Sequence, residues 1–177
     1  MNIVGTISSG FKGLSSILAG QSDWRDAYSF DSHGFNVAFL LYAIAALTSL
    51  VALVARVGFP APSTTITLVA GLALPVLALI FSSSFARRVS GVSGPVTEFY
   101  VPGFYVLALM GFIGAVTIMA GFPLWGAVMA VTAVLLFKLA RAIGLEFAPA
   151  LAFGLFNFVA GLPYALYMMN GSFAVAP

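Results

Sequence analysis

The stretch FNVAFLLYAIAALTSLVALVA at residues 35–55 decides the fold class of this chain. It carries no charged residue and ends at Arg56. An α-helix needs about 20 predominantly apolar residues to cross the hydrocarbon core of a bilayer. Similar apolar runs follow at 66–85, 99–120, 124–140 and 147–169. The sequence therefore predicts an all-α fold, a polytopic transmembrane helical bundle of five spans.

The overall composition points the same way. Of the 177 residues, 62% are hydrophobic and only 7% are charged, whereas about 25% of the residues in a soluble domain are charged. Seven basic and five acidic residues are too few to cover a water-facing surface of this size. The small positive excess is not a basic patch. The composition therefore excludes a soluble domain and a nucleic-acid partner, and the expected partner is the lipid bilayer.

The basic residues divide unevenly between the two ends of the predicted bundle. Arg56 lies at one end, and six of the seven lie at the other: Lys12, Arg25, Arg87, Arg88, Lys138 and Arg141. Cytoplasmic loops are enriched in Lys and Arg. We therefore predict a cytoplasmic N-terminal segment at 1–34, a transmembrane domain at 35–170 and a short tail outside the cytoplasm at 171–177. The expected location is the inner (cytoplasmic) membrane of a bacterium.

The N-terminal segment has the period of an amphipathic helix over about residues 3–18. Its apolar positions recur every three to four residues: Ile3, Ile7, Phe11, Leu14 and Leu18. Polar residues lie between them. This pattern favours a helix that lies on the membrane surface. A helix packed on the protein's own loops is the alternative.

Pairs of small residues with a spacing of four recur in the predicted spans. They are Ala45 and Ser49, Gly111 and Ala115, Gly126 and Ala130, Ala150 and Gly154, and Gly161 and Ala165. Lipid provides no hydrophobic drive between helices, so close packing of small residues matters for helix association. We expect packing within the chain, with a homo-oligomer contact as the alternative.

A few polar or helix-breaking residues in or near the spans are candidates for function. Asn157 is the one strongly polar side chain well inside a span, and Pro75 and Pro163 each remove a backbone hydrogen bond within a span. Glu98 and Glu146 stand at the starts of two spans, where we expect them to pair with the basic residues of the neighbouring loops. For Glu98 these are Arg87 or Arg88, and for Glu146 they are Lys138 or Arg141.

The sequence contains no set of residues that indicates catalysis. It has no cysteine, and His33 is the only histidine, so one chain cannot supply a thiolate or two-histidine metal site. No paired carboxylates or phosphate-binding glycine loop occur. We therefore predict no catalytic residue, no metal, no cofactor and no enzymatic activity.

Two short motifs precede the first span. They are Gly20-Gln21-Ser22-Asp23-Trp24-Arg25 and Phe30-Asp31-Ser32-His33-Gly34-Phe35. With the N-terminal helix and the five spans, they resemble the bacterial branch of the YIP-type family of small five-span membrane proteins. The resemblance implies a role in membrane shaping, trafficking or scaffolding.

These observations give two functional hypotheses. The first is a non-enzymatic membrane-shaping or scaffold protein, or an accessory subunit of a larger membrane complex, which associates with itself or with other membrane-protein subunits. The alternative is a small oligomeric transporter or channel for an uncharged or hydrophobic solute.

Overall fold

The computed structural model describes residues 3–92, 94–122 and 124–169, with side chains described as far as Leu166. These residues form six α-helices and a short 3-10 helix, Ser22–Ala27, and no strand. The α-helices are α1 (Ile3–Ala19), α2 (Ser32–Val57), α3 (Pro62–Ser90), α4 (Thr97–Ala120), α5 (Trp125–Ile143) and α6 (Phe147–Met169). The predicted tail at 171–177 lies outside the described residues.

Helices α2 to α6 are long and apolar enough to cross a membrane. The predicted all-α fold with five spans is confirmed, and the chain is an integral membrane protein. Long apolar helices suit a bilayer because each one satisfies its own backbone hydrogen bonds where no water is present.

Local chemistry sets the first residues of α2 and α3. The side chain of Asp31, the N-cap of α2, accepts a hydrogen bond of 2.8 Å from the Gly34 N–H at the start of that helix. This bond, together with one from the Ser29 hydroxyl, holds the pKa of Asp31 below its usual value. Helix α3 begins at Pro62, four residues before the apolar run at 66–85. Proline is favoured in a first turn, where its missing N–H has no helical partner to lose.

Helix α4 lies at the centre of the bundle. In its apolar segment 56% of the residues are buried, against 28% in α3. It packs most extensively against α2 and also contacts α5, while α6 packs against both α5 and α3. Helix α1 and the 3-10 helix lie together across one end of the bundle, where α1 contacts α2, α4 and α5. Helix α3 is therefore the span most open to its surroundings.

Most of the small-residue pairs lie at contacts between helices. The Ser49 hydroxyl of α2 donates a 2.9 Å hydrogen bond to the carbonyl of Gly111 in α4. A Cβ added at Gly154 would stand 2.7 Å from the backbone carbonyl oxygen of Ala133 in α5. Gly161 lies against Met129. The other four small residues of these pairs are buried as well: Ala45, Ala115, Ala150 and Ala165.

The pair in α5 is the exception. A Cβ added at Gly126 would meet nothing within 4 Å, and Ala130 is exposed. The expectation that this pair packs within the chain is therefore wrong. The spacing places both residues on one helix face, but that face points away from the other described helices.

Helix α1 buries much of its apolar face in the protein. Leu14 and Ile17 are each 3% exposed, and Ile7 and Phe11 are half-buried against the same core. Ile3 and Leu18, at the two ends of the predicted stripe, are 52% and 38% exposed. The middle of α1 is therefore packed on the protein, as in the alternative interpretation, but on α2, α4 and α5 as well as on the connecting segment. Contact of the exposed ends with lipid stays a prediction.

Aromatic and polar contacts hold this N-terminal segment in place. The Tyr105 hydroxyl of α4 donates to the Thr6 carbonyl over 3.1 Å, and the Ser9 hydroxyl donates to the Ala27 carbonyl over 2.6 Å. Tyr28 is buried beside the Tyr105 ring. Its burial, with a smaller contribution from Tyr105, raises the pKa of Tyr28 well above the usual range, so this phenol stays neutral.

Candidate functional site: a polar cavity and an adjoining groove

A small cavity lies between the five long helices. Its volume is about 60 Å³, and residues from α2, α3, α4, α5 and α6 line it. Its polar lining side chains are Tyr42, Ser49, Thr132, Asn157 and Tyr164. One water needs roughly 10–15 Å³ of such space and two to four polar partners. The cavity therefore has the size and chemistry to hold water or a small uncharged polar solute.

Asn157 is the most polar side chain at this cavity. It is 5% exposed. Its amide nitrogen donates to the Ser82 hydroxyl over 2.9 Å and to the Phe153 carbonyl over 2.8 Å. Its amide oxygen is buried and has no hydrogen-bond partner among the described residues. Leaving such an acceptor unpaired costs about 1–3 kcal/mol, so a donor inside the cavity would be stabilised there.

The two prolines inside spans have different surroundings. Pro75 lines the cavity, and because it has no N–H it leaves the carbonyl of Gly71 without its usual helical partner. Close by, the Tyr42 hydroxyl donates to the carbonyl of Leu72, which ties α2 to α3 beside the break. Pro163 is exposed on α6 and does not line the cavity. The structure thus brings Pro75 and Asn157 to one place and leaves Pro163 outside it.

Glu98 forms a different ion pair from the one expected. Its carboxylate lies 3.2 Å from the guanidinium of Arg25, and it is not within 4 Å of a basic group of Arg87 or Arg88. The prediction was wrong because the N-terminal segment folds back over the start of α4, which sequence distance does not reveal. The pair ties the 3-10 helix to α4.

Glu146 also lacks its expected partners. It is exposed, and among the described residues no basic group lies within 4 Å of its carboxylate. Lys138 instead donates to the Leu18 carbonyl at the end of α1, and Arg141 donates to the Leu145 carbonyl, each over 3.0 Å. The carbonyl of Leu18 is in the last turn of α1, where unpaired carbonyls attract cations, while Leu145 lies in the connection between α5 and α6. Neither Glu98 nor Glu146 is among the residues that line the cavity.

A larger groove opens between α3 and α6 on the outside of the bundle. Its volume is about 660 Å³. Ser82 is the only polar residue among those that line it, and four phenylalanines contribute to its walls: Phe81, Phe85, Phe153 and Phe156. Since Ser82 bonds to Asn157, this hydrogen-bonded pair stands between the groove and the cavity. Sequence reasoning missed the groove because its two walls are about 70 residues apart in the chain.

Sequence reasoning also missed the hydroxyl residues at the cavity. Thr132 donates to the carbonyl four residues earlier over 2.8 Å, and the Ser49 hydroxyl, which donates to Gly111, also lies 3.1 Å from the carbonyl four residues before it. Such local bonds are common for Ser and Thr in apolar helices, so their presence in a span does not indicate a site. Only the fold shows that they face the same space as Asn157.

Within residues 3–92, 94–122 and 124–169, no three His, Asp or Glu side chains form a group that could hold a metal ion. No family model, no curated protein and no solved structure matches the chain. The resemblance to the YIP-type family therefore stays a prediction from the two short motifs and the layout of the spans.

Proposed function

We propose that this chain is a non-enzymatic membrane protein that acts as a scaffold or accessory subunit of a larger complex. Its partner would be a second copy or another membrane-protein subunit. The chain would lie in the inner membrane of a bacterium, with the N-terminal segment in the cytoplasm and the C-terminus outside. The distribution of Lys and Arg supports this orientation.

The outward-facing small-residue pair of α5 carries this proposal. The other pairs with this spacing are used at contacts between the described helices, whereas Gly126 and Ala130 face away from them. Small residues let two helix backbones approach closely, which is how spans associate in lipid. A face of this kind suits a helix of another subunit.

The placement of α1 favours scaffolding over direct membrane shaping. A helix that bends a membrane by shallow insertion needs its apolar face free for lipid. Leu14 and Ile17 are instead enclosed by the protein. Helix α1 therefore serves first as part of a cap on the bundle, and its exposed apolar ends add membrane contact.

The double variant Gly126→Leu with Ala130→Leu should separate the complex into single chains. Leucine at these positions would hold the partner helix away, while the fold tolerates it because the space around Gly126 is open. The measurement is native mass spectrometry of complexes extracted in lipid nanodiscs. Ala70→Leu with Ala73→Leu, two exposed positions of α3, is the matched control and should keep the assembly. A monomeric wild type, or a variant that assembles normally, would contradict the proposal.

A second function is favoured by the cavity, namely passage of a small uncharged solute through the bundle. Proteoliposomes that contain the protein would then show flux of water or glycerol. Asn157→Leu should reduce this flux about tenfold or more, because it removes the polar group and fills the cavity. Asn36→Leu, an exposed position of α2, should leave it unchanged. Flux equal to that of empty liposomes, or flux indifferent to Asn157→Leu, would exclude this function.

A further inference from the structure

The groove between α3 and α6 has the character of a binding site for an apolar chain. Phe81 and Phe85 of α3 are 64% and 63% exposed at its edge, and Phe156 of α6 is 50% exposed. Its volume of about 660 Å³ lies within the roughly 300–1,000 Å³ that is common for small-molecule sites. Such walls select an aliphatic ligand.

The length and position of the groove match one leaflet of a bilayer. Along α3 its lining extends from Phe81 to Val89, which is about 12 Å at about 1.5 Å per residue. One leaflet contributes about half of the roughly 30 Å hydrocarbon core. The groove follows the last three turns of α3 and ends next to its last residue, Ser90, so in a bilayer it would face the leaflet at that end of the bundle. A spanning partner helix would need a groove about twice as long.

Positive charge stands at the surface end of the groove. Arg88 is exposed and follows Phe81 by seven residues and Phe85 by three, so the three side chains share one face of α3. The Nε of Arg87 is buried and has no hydrogen-bond partner among the described residues. Neither arginine lies within 4 Å of a described carboxylate.

The α6 wall of the groove adds to this positive charge. The groove is lined by the first turns of α6, from Ala148 onward, and the N-terminus of a helix carries a partial positive charge. Glu146 precedes α6 and opposes this effect with one negative charge. Two guanidinium groups outweigh it, and a guanidinium can hold a phosphate through two parallel hydrogen bonds.

We propose that the groove binds an anionic phospholipid. One acyl chain lies along Phe81, Phe85 and Phe156, and the headgroup phosphate lies at Arg88 with Arg87 beside it. The apolar groove, about as long as one leaflet is thick, would hold the acyl chain. The unpaired arginines at its surface end would favour an anionic headgroup. This inference does not depend on the proposed scaffold function.

The test is lipid binding by native mass spectrometry. The purified protein in mild detergent is titrated with phosphatidylglycerol and with phosphatidylcholine of the same acyl chains. The wild type should retain one phosphatidylglycerol in preference to phosphatidylcholine. Arg88→Gln should weaken phosphatidylglycerol binding about tenfold, the size expected for the loss of a hydrogen bond to a charged group, and should remove the preference. Arg56→Gln, at the opposite end of the bundle, removes the same charge and should keep it.

A second variant tests the acyl chain separately from the charge. Ala152 lines the groove and is exposed, so Ala152→Trp should block the groove and abolish binding of both lipids. Ala73→Trp, exposed on α3 outside the groove, should bind as the wild type does. Unchanged binding in Arg88→Gln or in Ala152→Trp would overturn the proposal.

Cross-linking in the membrane identifies the molecule that occupies the groove. The chain contains no cysteine, so Phe85→Cys provides a single site for a photoreactive cross-linker. Cross-links to phospholipid are expected. Cross-links to a second copy or to another polypeptide would show that a protein occupies the groove, and would overturn the proposal.

Discussion

Trp24→Ala should release the N-terminal segment from the bundle, at a cost of about 3–5 kcal/mol. Trp24 is 2% exposed and is one of the largest fully buried side chains among the described residues. Its ring meets those of Tyr28 and Phe30 edge to face, each with a centroid distance of 6.2 Å. Alanine would leave a cavity where these rings meet. Trp24 lies in the connection between the end of α1 at Ala19 and the start of α2 at Ser32. The five spans should remain inserted, since each is stabilised by lipid and by its own hydrogen bonds.

Cysteine labelling measures this release directly, because the chain has no native cysteine. Leu14→Cys places a thiol at a buried position of α1, and Ser15→Cys places one at an exposed position. In the Trp24→Ala background the thiol at position 14 should react about a hundredfold faster, as expected for a docking equilibrium shifted by about 3 kcal/mol. The thiol at position 15 should react rapidly in both backgrounds.

A matched aromatic substitution separates docking from general destabilisation. Phe122 is 62% exposed, so Phe122→Ala should leave the labelling rate at position 14 unchanged. Slow labelling of that thiol in Trp24→Ala would show that the segment stays docked without the indole ring. The hydrogen bond from Tyr105 to Thr6 and the Arg25–Glu98 ion pair would then be sufficient to hold it.

Gly154→Leu should destabilise the bundle by about 1–3 kcal/mol or more. The nearest atom to an added Cβ is the backbone carbonyl oxygen of Ala133, at 2.7 Å. A flexible side chain could move aside, but a helix backbone cannot move without shifting all of α5 relative to α6. The Cβ of Phe137, at 3.2 Å, confines the new side chain further.

Gly126→Leu is the matched control for this substitution. It makes the same change in the neighbouring helix, at a position where the added Cβ meets nothing within 4 Å. Its stability in monomeric form should be unchanged or slightly higher, because glycine is a poor helix former by about 1 kcal/mol. Unfolding in mixed micelles with increasing dodecyl sulfate measures the free energy of unfolding of both variants. Equal stability of the two variants would mean that α5 and α6 do not approach at Gly154.

The comparison of these two glycines shows why the candidate site was only partly predictable. Gly126 and Gly154 belong to the same spacing pattern with an alanine, yet one faces outward and the other lies against a neighbouring backbone. In a span, apolar side chains surround the whole helix, because lipid and protein core are both apolar. The pattern therefore marks close-packing positions without showing which of them have a partner.

Asn157 gives the opposite case. A strongly polar amide within an apolar run must find a hydrogen-bond partner in the bundle, so its burial and its bond across to another helix follow from its position. The identity of its partner, Ser82 of α3, cannot be predicted from that position. Many hydroxyl residues in the spans bond only to their own helix, as Ser84 does to the carbonyl of Ile80.

The number of spans and their approximate positions were determined by the sequence alone. Crossing the hydrocarbon core depends on the length and apolarity of one continuous stretch, which can be evaluated helix by helix. The tertiary structure decided the docking of α1, the pairing of Arg25 with Glu98, and the cavity and groove beside Asn157. Each of these depends on which faces of helices distant in sequence lie against one another. The amino-acid sequence determines those contacts only through the packing of the whole bundle.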